Sequence, residues 1–195
     1  EALANGSQTP ELDALRAFAD KLEDALCTEI SYTAIMNLDG FVNIVNILGG
    51  VELNVPADMD YEDPGQDLYI HLKAGYQTLT GEQAEGFVRF RYGYVQGDLG
   101  RQDAQKIFLS AFMKKAKDTL SVSNVAKLTS VAEAIIDNIY TDITVSDAVY
   151  FVKNLLSVDL SNLRMMSMPC SSSGYNVVMN RAGMLEIISN YFNVY

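Results

Sequence analysis

Apolar residues recur along the chain with two different periods, and the switches between them mark its elements. Leu12, Leu15, Phe18, Ala19, Leu22 and Leu26 share one helical face behind Thr9-Pro10-Glu11, a capping hydroxyl followed by proline at the first helical position. The spacing predicts a helix over 10–26. The β-rich stretch from Ile30 to Met36 predicts a strand. Asp39 is the expected cap of a helix through Phe41, Ile44, Val45 and Leu48, stopped by Gly49-Gly50. Val51 to Val55 alternates as a strand ending at Pro56, and Leu68, Ile70 and Leu72 alternate with Tyr69, His71 and Lys73 as another. Thr80-Gly81-Glu82-Gln83 has the form of a capping box and opens a short helix towards Phe87. A longer helix is expected over about 99–117, burying Ala104, Ile107, Phe108, Ala111 and Phe112, and two more over about 123–138 and 146–156. Leu163–Met168 and Tyr175–Met179 are expected as strands, with Asn180 capping a last helix. Interleaved helices and short strands predict the α/β class, with helices covering a sheet.

A chain of 195 residues suits one domain and buries a sizeable core without a disulfide or metal staple. Apolar residues at 49% against 20% charged exclude a disordered or collagen-like chain. Acidic residues outnumber basic ones 25 to 14, a net charge of −11, which removes the basic footprint of a nucleic-acid binder and disfavours electrostatic docking on an anionic membrane. An anionic ligand must therefore be held by a local cluster of arginines. No apolar run approaches the roughly 18 residues that span a bilayer, and no signal peptide is visible. The chain begins at Glu1 rather than Met and is expected to be a processed or shortened piece. Cys27 and Cys170 are too few for a framework; they are read either as buried thiols or as the pair of an exported protein.

Arg89, Arg91 and Arg101 fall within 13 positions. On extended backbone Arg89 and Arg91 point to one side while Val88, Phe90 and Tyr92 point to the other; on a helix the two arginines diverge by about 200°. Asp98, Arg101 and Gln105 lie at i, i+3 and i+7, one stripe of a helix whose N-terminus favours anions. Guanidinium forks match phosphate oxygens two bonds at a time, so this group has the means to neutralise a pyrophosphate. Asp98 would then orient an arginine or stand near an attacking hydroxyl. The competing reading pairs the three arginines with Glu82, Glu85 and Asp103 as ordinary surface charges, and spacing alone leaves both open. The acidic run Asp58, Asp60, Glu62, Asp63 and Asp67 lacks calcium-loop spacing and is read as a solvated loop. His71 is read as a surface histidine, and Met165, Met166 and Met168 as core filling.

At these residues the chain resembles the LytR–CpsA–Psr (LCP) family of membrane-anchored bacterial envelope enzymes. The resemblance begins with Asp39-Gly40-Phe41 and Leu48-Gly49-Gly50-Val51-Glu52-Leu53-Asn54-Val55-Pro56. It continues through Met59-Asp60-Tyr61-Glu62-Asp63-Pro64, Leu72-Lys73-Ala74-Gly75 and Leu79-Thr80-Gly81-Glu82-Gln83-Ala84. It ends with Arg89-x-Arg91 and Asp98-x-x-Arg101-x-x-x-Gln105, an order and spacing held over about 70 residues. The resemblance implies a central β-sheet flanked by helices, with a long hydrophobic pocket for a polyprenyl chain. It implies an enzyme, a phosphotransferase that moves an anionic glycopolymer, such as teichoic acid or capsule, from a polyprenyl-pyrophosphate carrier to peptidoglycan at the extracellular face of the membrane. By the same resemblance Arg89, Arg91, Arg101 and Gln105 grip the pyrophosphate, Asp98 and Arg101 are catalytic with Asp98 as base, and Mg2+ offsets phosphate charge. Phe41, Ile44, Ile107 and Phe108 are either lipid-pocket lining or ordinary core.

The chain also departs from the family. The front half, with strands, an arginine-aspartate motif and the magnesium carboxylates, is absent, and Glu1-Ala2-Leu3-Ala4-Asn5-Gly6 resembles its end. Residues 1–195 are therefore expected to be a fragment of a single LCP-type catalytic domain, with the N-terminal membrane anchor and most magnesium ligands outside it. Asn46 stands where many relatives carry aspartate. An incomplete sheet exposes an edge, which makes pairing with a second copy an expectation. The second functional class is a non-catalytic module that holds polyprenyl phosphates without transferring anything.

Overall fold

The computed structural model describes residues 10–94, 98–120, 125–160, 163, 165–173 and 176–191, with the side chains of 98–99, 125–128, 172–173 and 176–177 outside the description. In chain order the elements are α1 (Pro10–Leu26), β1 (Ala34–Ile35), α2 (Leu38–Ile47), β2 (Val51–Val55), β3 (Met59–Asp63), β4 (Leu68–Leu72), β5 (Gly75–Leu79), α3 (Gly81–Arg89), α4 (Asp98–Leu120), α5 (Val125–Ile136), β6 (Tyr140–Thr141), α6 (Val145–Ser157), β7 (Cys170–Ser173), β8 (Asn176–Met179) and α7 (Arg181–Tyr191). The class is α/β as expected, and the strands named below pair as separate two-stranded antiparallel ladders. Two compact units form, one of Ile35–Leu163 and one of Glu1–Ala34 with Arg164–Tyr195.

In the larger unit, the cap of α2 stands two residues before the expected one. Asn37 rather than Asp39 caps it, its Oδ1 accepting the Gly40 N–H at 2.7 Å, because the cap must sit three residues before the amide it satisfies. The helix stops at Gly49 and Gly50, whose φ of 81° and 86° suit residues without a Cβ. Next, β2 pairs with β5 (Val51↔Leu79 to Val55↔Gly75) and β3 with β4 (Met59↔Leu72 to Asp63↔Leu68). Between the two ladders, residues 56–58 face only 73–74, an irregularity of the bulge kind that bends a continuous two-stranded ribbon. Asp58 holds the bend: Oδ1 accepts the Ala74 N–H and Oδ2 the Lys73 ammonium, both at 2.8 Å. These bonds, Lys73 first, hold the Asp58 carboxyl below its ordinary range.

The acidic run is therefore not a solvated loop throughout. Met59 is buried and Tyr61 partly buried on the inner face, while Asp60 and Glu62 point to water, so period-two alternation accommodates the acids on one side of β3. Val51, Leu53, Val55, Met59, Leu68, Ile70, Leu72 and Leu79 line the inner face, which α3 and α4 cover with Ala84, Phe87, Phe90, Ala104 and Phe108. Fully burying Phe87 contributes on the order of 2–3 kcal/mol. A second cluster gathers Leu48, Ala116 and Leu120 with Phe112, Val131, Val152 and Leu156. Of the residues expected inside α4, Ala104 and Phe108 are buried, but Ile107 is 41% exposed, because it lies off the stripe facing β2.

In the smaller unit α1 has the expected bounds, and Asn180 starts α7 as expected, its Oδ1 accepting the Gly183 N–H at 3.1 Å. Met184 and Ile188 bury the inner side of α7. The expected strand over 163–168 does not form at 163 or 165–168; the ladder is instead β7 with β8 (Cys170↔Met179 to Ser173↔Asn176). Without a ladder to present them to a core, Met166 and Met168 are exposed rather than core-filling. The strand read over 30–36 shrinks to the two residues of β1. Both cysteines are free and exposed, so neither the buried nor the paired reading holds.

Candidate functional site

The site residues hang on the ends of α3 and α4. The start of α3 is fixed twice. Thr80 and Gln83 close a reciprocal capping box, and the Gly81 N–H donates to Asn46 Oδ1 on α2 at 2.8 Å, which gives Asn46 a structural task. A Cβ at Gly81 would stand 2.3 Å from the Val42 carbonyl oxygen, so only glycine permits this approach of α3 to α2. Buried Ala84 and Phe87 keep the segment helical through Arg89, and the Phe90 N–H closes the last turn on the Gly86 carbonyl at 2.9 Å. Phe90 then turns to extended geometry, and Arg91 follows.

Arg89 and Arg91 therefore do not lie side by side on a strand. The helix, stabilised by the burial of its inner face, overrides the local extended reading, and the pair straddles its C-terminal boundary. Arg89 is about one-fifth exposed and pairs with Glu85 one turn back at 2.5 Å, as the surface-charge reading had it for this residue. Its other Nη donates to Gln66 Oε1 at 3.4 Å, and Gln66 Nε2 donates to Asp63 Oδ2 at 2.7 Å. Asp63 also accepts from the Tyr61 hydroxyl at 3.5 Å. The tip of the ribbon is thus linked by polar contacts to the arginine end of α3.

Asp98 heads α4, where an acid is favoured by the helix dipole; its side chain lies outside the described residues. Arg101 and Gln105 follow one turn apart. Gln105 Nε2 donates to the Val88 carbonyl at 3.2 Å, latching α4 to the residue before Arg89. Arg101 is half-buried, with its Nε shielded from water. Asp103 pairs with Lys106 at 3.2 Å. The structure brings the Gln105 side chain against the end of α3 and keeps Arg91 exposed.

Sequence reasoning missed the aromatic residues around this cluster. Tyr92 stacks on Tyr61 with centroids 4.5 Å apart and planes 16° from parallel. The Tyr92 hydroxyl, then desolvation and the Asp63 carboxylate, push the Tyr61 phenol above its ordinary value. Tyr94 meets Phe90 edge-on at 5.5 Å and packs where a Cβ on Gly100 would stand 2.4 Å from its own Cβ. The Tyr94 hydroxyl is buried without a hydrogen-bond partner among the described residues, and burial raises its pKa. The signal that pointed here was aromatic residues on either side of Arg91, Phe90 before it and Tyr92 and Tyr94 after it, in a chain with no tryptophan.

Of the four residues read as lipid-pocket lining or ordinary core, three lie in or against the core. Phe41 and Phe108 lie 5.2 Å ring to ring, Ile44 and Phe108 are buried, and Ile107 faces outward. His71 is a surface histidine as read, 2.6 Å from Asp60 and 3.3 Å from Glu62. Among the described residues no group of three or more His, Cys, Asp or Glu side chains is placed to hold a metal ion. No helix among them is long and apolar enough to cross a membrane.

With this geometry in hand, comparison with known proteins places the chain. The chain is 33% identical over 129 residues to the polyisoprenyl-teichoic acid–peptidoglycan teichoic acid transferase TagV of Bacillus subtilis, covering 66% of this chain and 32% of that protein. It is 31% identical over 128 residues to a transferase of the same description, TagU of Enterococcus faecalis, covering 66% of this chain and 39% of that one. The chain thus spans about a third of the length of these relatives. The crystal structure of B. subtilis TagV superposes with a TM-score of 0.72 at 24% identity over 88% of this chain and 66% of that one. A LytR-Csp2A-Psr enzyme from Actinomyces oris superposes with a TM-score of 0.64 at 18% identity over 83% of this chain and 63% of that one. These superpositions establish the shared fold. The sequence profile of the LytR_cpsA_psr family matches residues 16–190, from the second turn of α1 to the end of α7, and the chain belongs to that family.

Proposed function

We propose that the protein to which this chain belongs is an envelope phosphotransferase, moving an anionic glycopolymer from a polyprenyl-pyrophosphate carrier to a hydroxyl of peptidoglycan. The carrying observation is the latch between α3 and α4. The Gln105–Val88 bond, together with the polar links from Arg89 to the ribbon tip, gathers arginines at the ends of two helices in a chain of net charge −11. Relatives named as teichoic acid transferases support the substrate class. Arg89, Arg91 and Arg101 offer planar forks to the phosphate oxygens, and Gln105 adds a neutral donor through the amide hydrogen that its bond to the Val88 carbonyl leaves over.

In this reading the acceptor hydroxyl attacks the phosphorus that carries the glycopolymer. A new P–O bond to the wall sugar forms, the bridging P–O bond breaks, and polyprenyl phosphate leaves with its electron pair. Asp98 takes the hydroxyl proton, a task suited to a carboxylate at the head of α4. Arg101 stabilises charge on the phosphoryl oxygens. Magnesium, part of the family expectation, finds no assembled donor set among the described residues, and no step here passes through it. An extracellular site, an N-terminal membrane anchor and a dimer belong to the same proposal.

Calorimetric titration with geranyl pyrophosphate, a short soluble polyprenyl pyrophosphate, tests it. Binding by the native chain that is lost in Arg89→Ala/Arg91→Ala, with the fold retained by circular dichroism, supports the site. A folded protein whose affinity is unchanged by the double substitution refutes it.

A further inference from the structure

We propose that the stacked pair Tyr61–Tyr92 is a platform for the first sugar ring joined to the pyrophosphate, so that this chain reads the glycan as well as the phosphates. The inference rests on the pyrophosphate reading above and adds a saccharide subsite to it. Tyr92 is 75% exposed even though one face of its ring is covered by Tyr61 at a centroid distance of 4.5 Å. Stacking on a strand residue holds this ring still although it sits in a turn, so its open face is presented in a fixed orientation.

Place and chemistry agree. Tyr92 directly follows Arg91, and Tyr61 reaches Arg89 through Asp63 and Gln66, so platform and arginines form one connected patch. A pyranose offers an apolar C–H face with hydroxyls at its rim. Tyrosine offers the complement, an apolar ring face with a polar edge. Asp63 and Gln66 supply acceptor and amide beside the ring, the few placed polar groups that orient a sugar. The same polar border disfavours a polyprenyl chain on this face.

The test compares two ligands on the full chain by calorimetry, the methyl ester of geranyl pyrophosphate on its terminal phosphate and geranyl-pyrophosphoryl-glucose, which carry equal charge and differ by a methyl group against the sugar. The sugar-bearing ligand is expected to bind roughly five-fold tighter, the scale of one aromatic stack. Tyr92→Ala is expected to erase that difference, and Tyr92→Phe, which keeps the ring, to retain most of it. Equal affinities in the native chain overturn the proposal, as does a difference that survives Tyr92→Ala. If Tyr92→Ala weakens both ligands alike, the stack only positions Arg89 and Arg91, and the subsite is refuted. Failure of a folded native chain to bind either ligand overturns the pyrophosphate reading and the platform with it. Arg89→Ala/Arg91→Ala, which should weaken both ligands in parallel, keeps the two failures apart.

Discussion

Glu85→Gln is expected to tighten pyrophosphate binding while lowering stability. In the ligand-free chain Glu85 neutralises Arg89 at 2.5 Å, with both side chains about one-fifth exposed. An anion on the far side of the guanidinium lies about 7 Å from the Glu85 carboxylate, where an effective dielectric of about 20 gives a repulsion near 2.4 kcal/mol per unit charge. Screening at physiological salt, with a Debye length of about 8 Å, lowers that to about 1 kcal/mol. Pyrophosphate carries more than one charge, so the gain is about 1–2 kcal/mol, roughly a five- to thirty-fold lower Kd. The lost i,i+4 ion pair costs about 0.5–1 kcal/mol, which for a chain of this size lowers Tm by about 1–4 °C. Calorimetry at two salt concentrations and a thermal melt read both. The affinity gain should shrink in about 1 M salt. Weaker binding in Glu85→Gln would refute the competition argument and make Glu85 a residue that positions Arg89. Unchanged binding would remove Arg89 from the site.

Three further outcomes are expected. Thr80→Ala opens the capping box of α3 and should cost about 1 kcal/mol, read as a lower urea midpoint with unchanged slope. Tyr94→Phe removes a buried hydroxyl that has no partner among the described residues, and should raise Tm rather than lower it; a fall would reveal a hydrogen bond that the hydroxyl makes in solution. Asp58 has a folded-state pKa below its unfolded value, so its stabilising contribution is present above the ordinary carboxylate pKa near 3.9 and is lost as pH falls through the lowered value. Urea midpoints followed from pH 5 downward should fall less steeply in Asp58→Asn than in the native chain, and parallel profiles would contradict this.

Where local pattern and tertiary demand agree, the chain was readable. The bounds of α1, β2 and β4, the capping box of α3 and the glycine stop of α2 follow from alternation, proline, caps and positive φ. The misreadings fall where a partner distant in sequence decides. Acidic residues on the water side of β3 suggested a loop, because nothing local announces that β4 waits to pair with it. Arg89-x-Arg91 suggested extended backbone, because the burial of Phe87 that prolongs α3 depends on the ribbon beneath it. The arginines, Asp98 and Gln105 were identifiable as residue types at a spacing. Glu85 was legible too, as a partner one helical turn before Arg89, whereas Tyr61 and Gln66 were not, since they meet the cluster only through the fold.

The bend in the ribbon implies that the aim of the site is written partly in chain length. The last pair of one ladder and the first of the next are four residues apart on the outgoing side, Val55 to Met59, but three apart on the returning side, Leu72 to Gly75, so the returning strand is one residue short of the outgoing one. One residue inserted between Lys73 and Ala74 would restore even alternation and let the ribbon run straight. The inner face would keep its apolar residues, and the fold would survive. The tip, however, would swing, and with it Asp63 and Gln66, the groups that reach Arg89. Substitution scanning, which never alters this count, is blind to such a control. A single-codon insertion far from every arginine would detune the site while leaving each of its side chains in place.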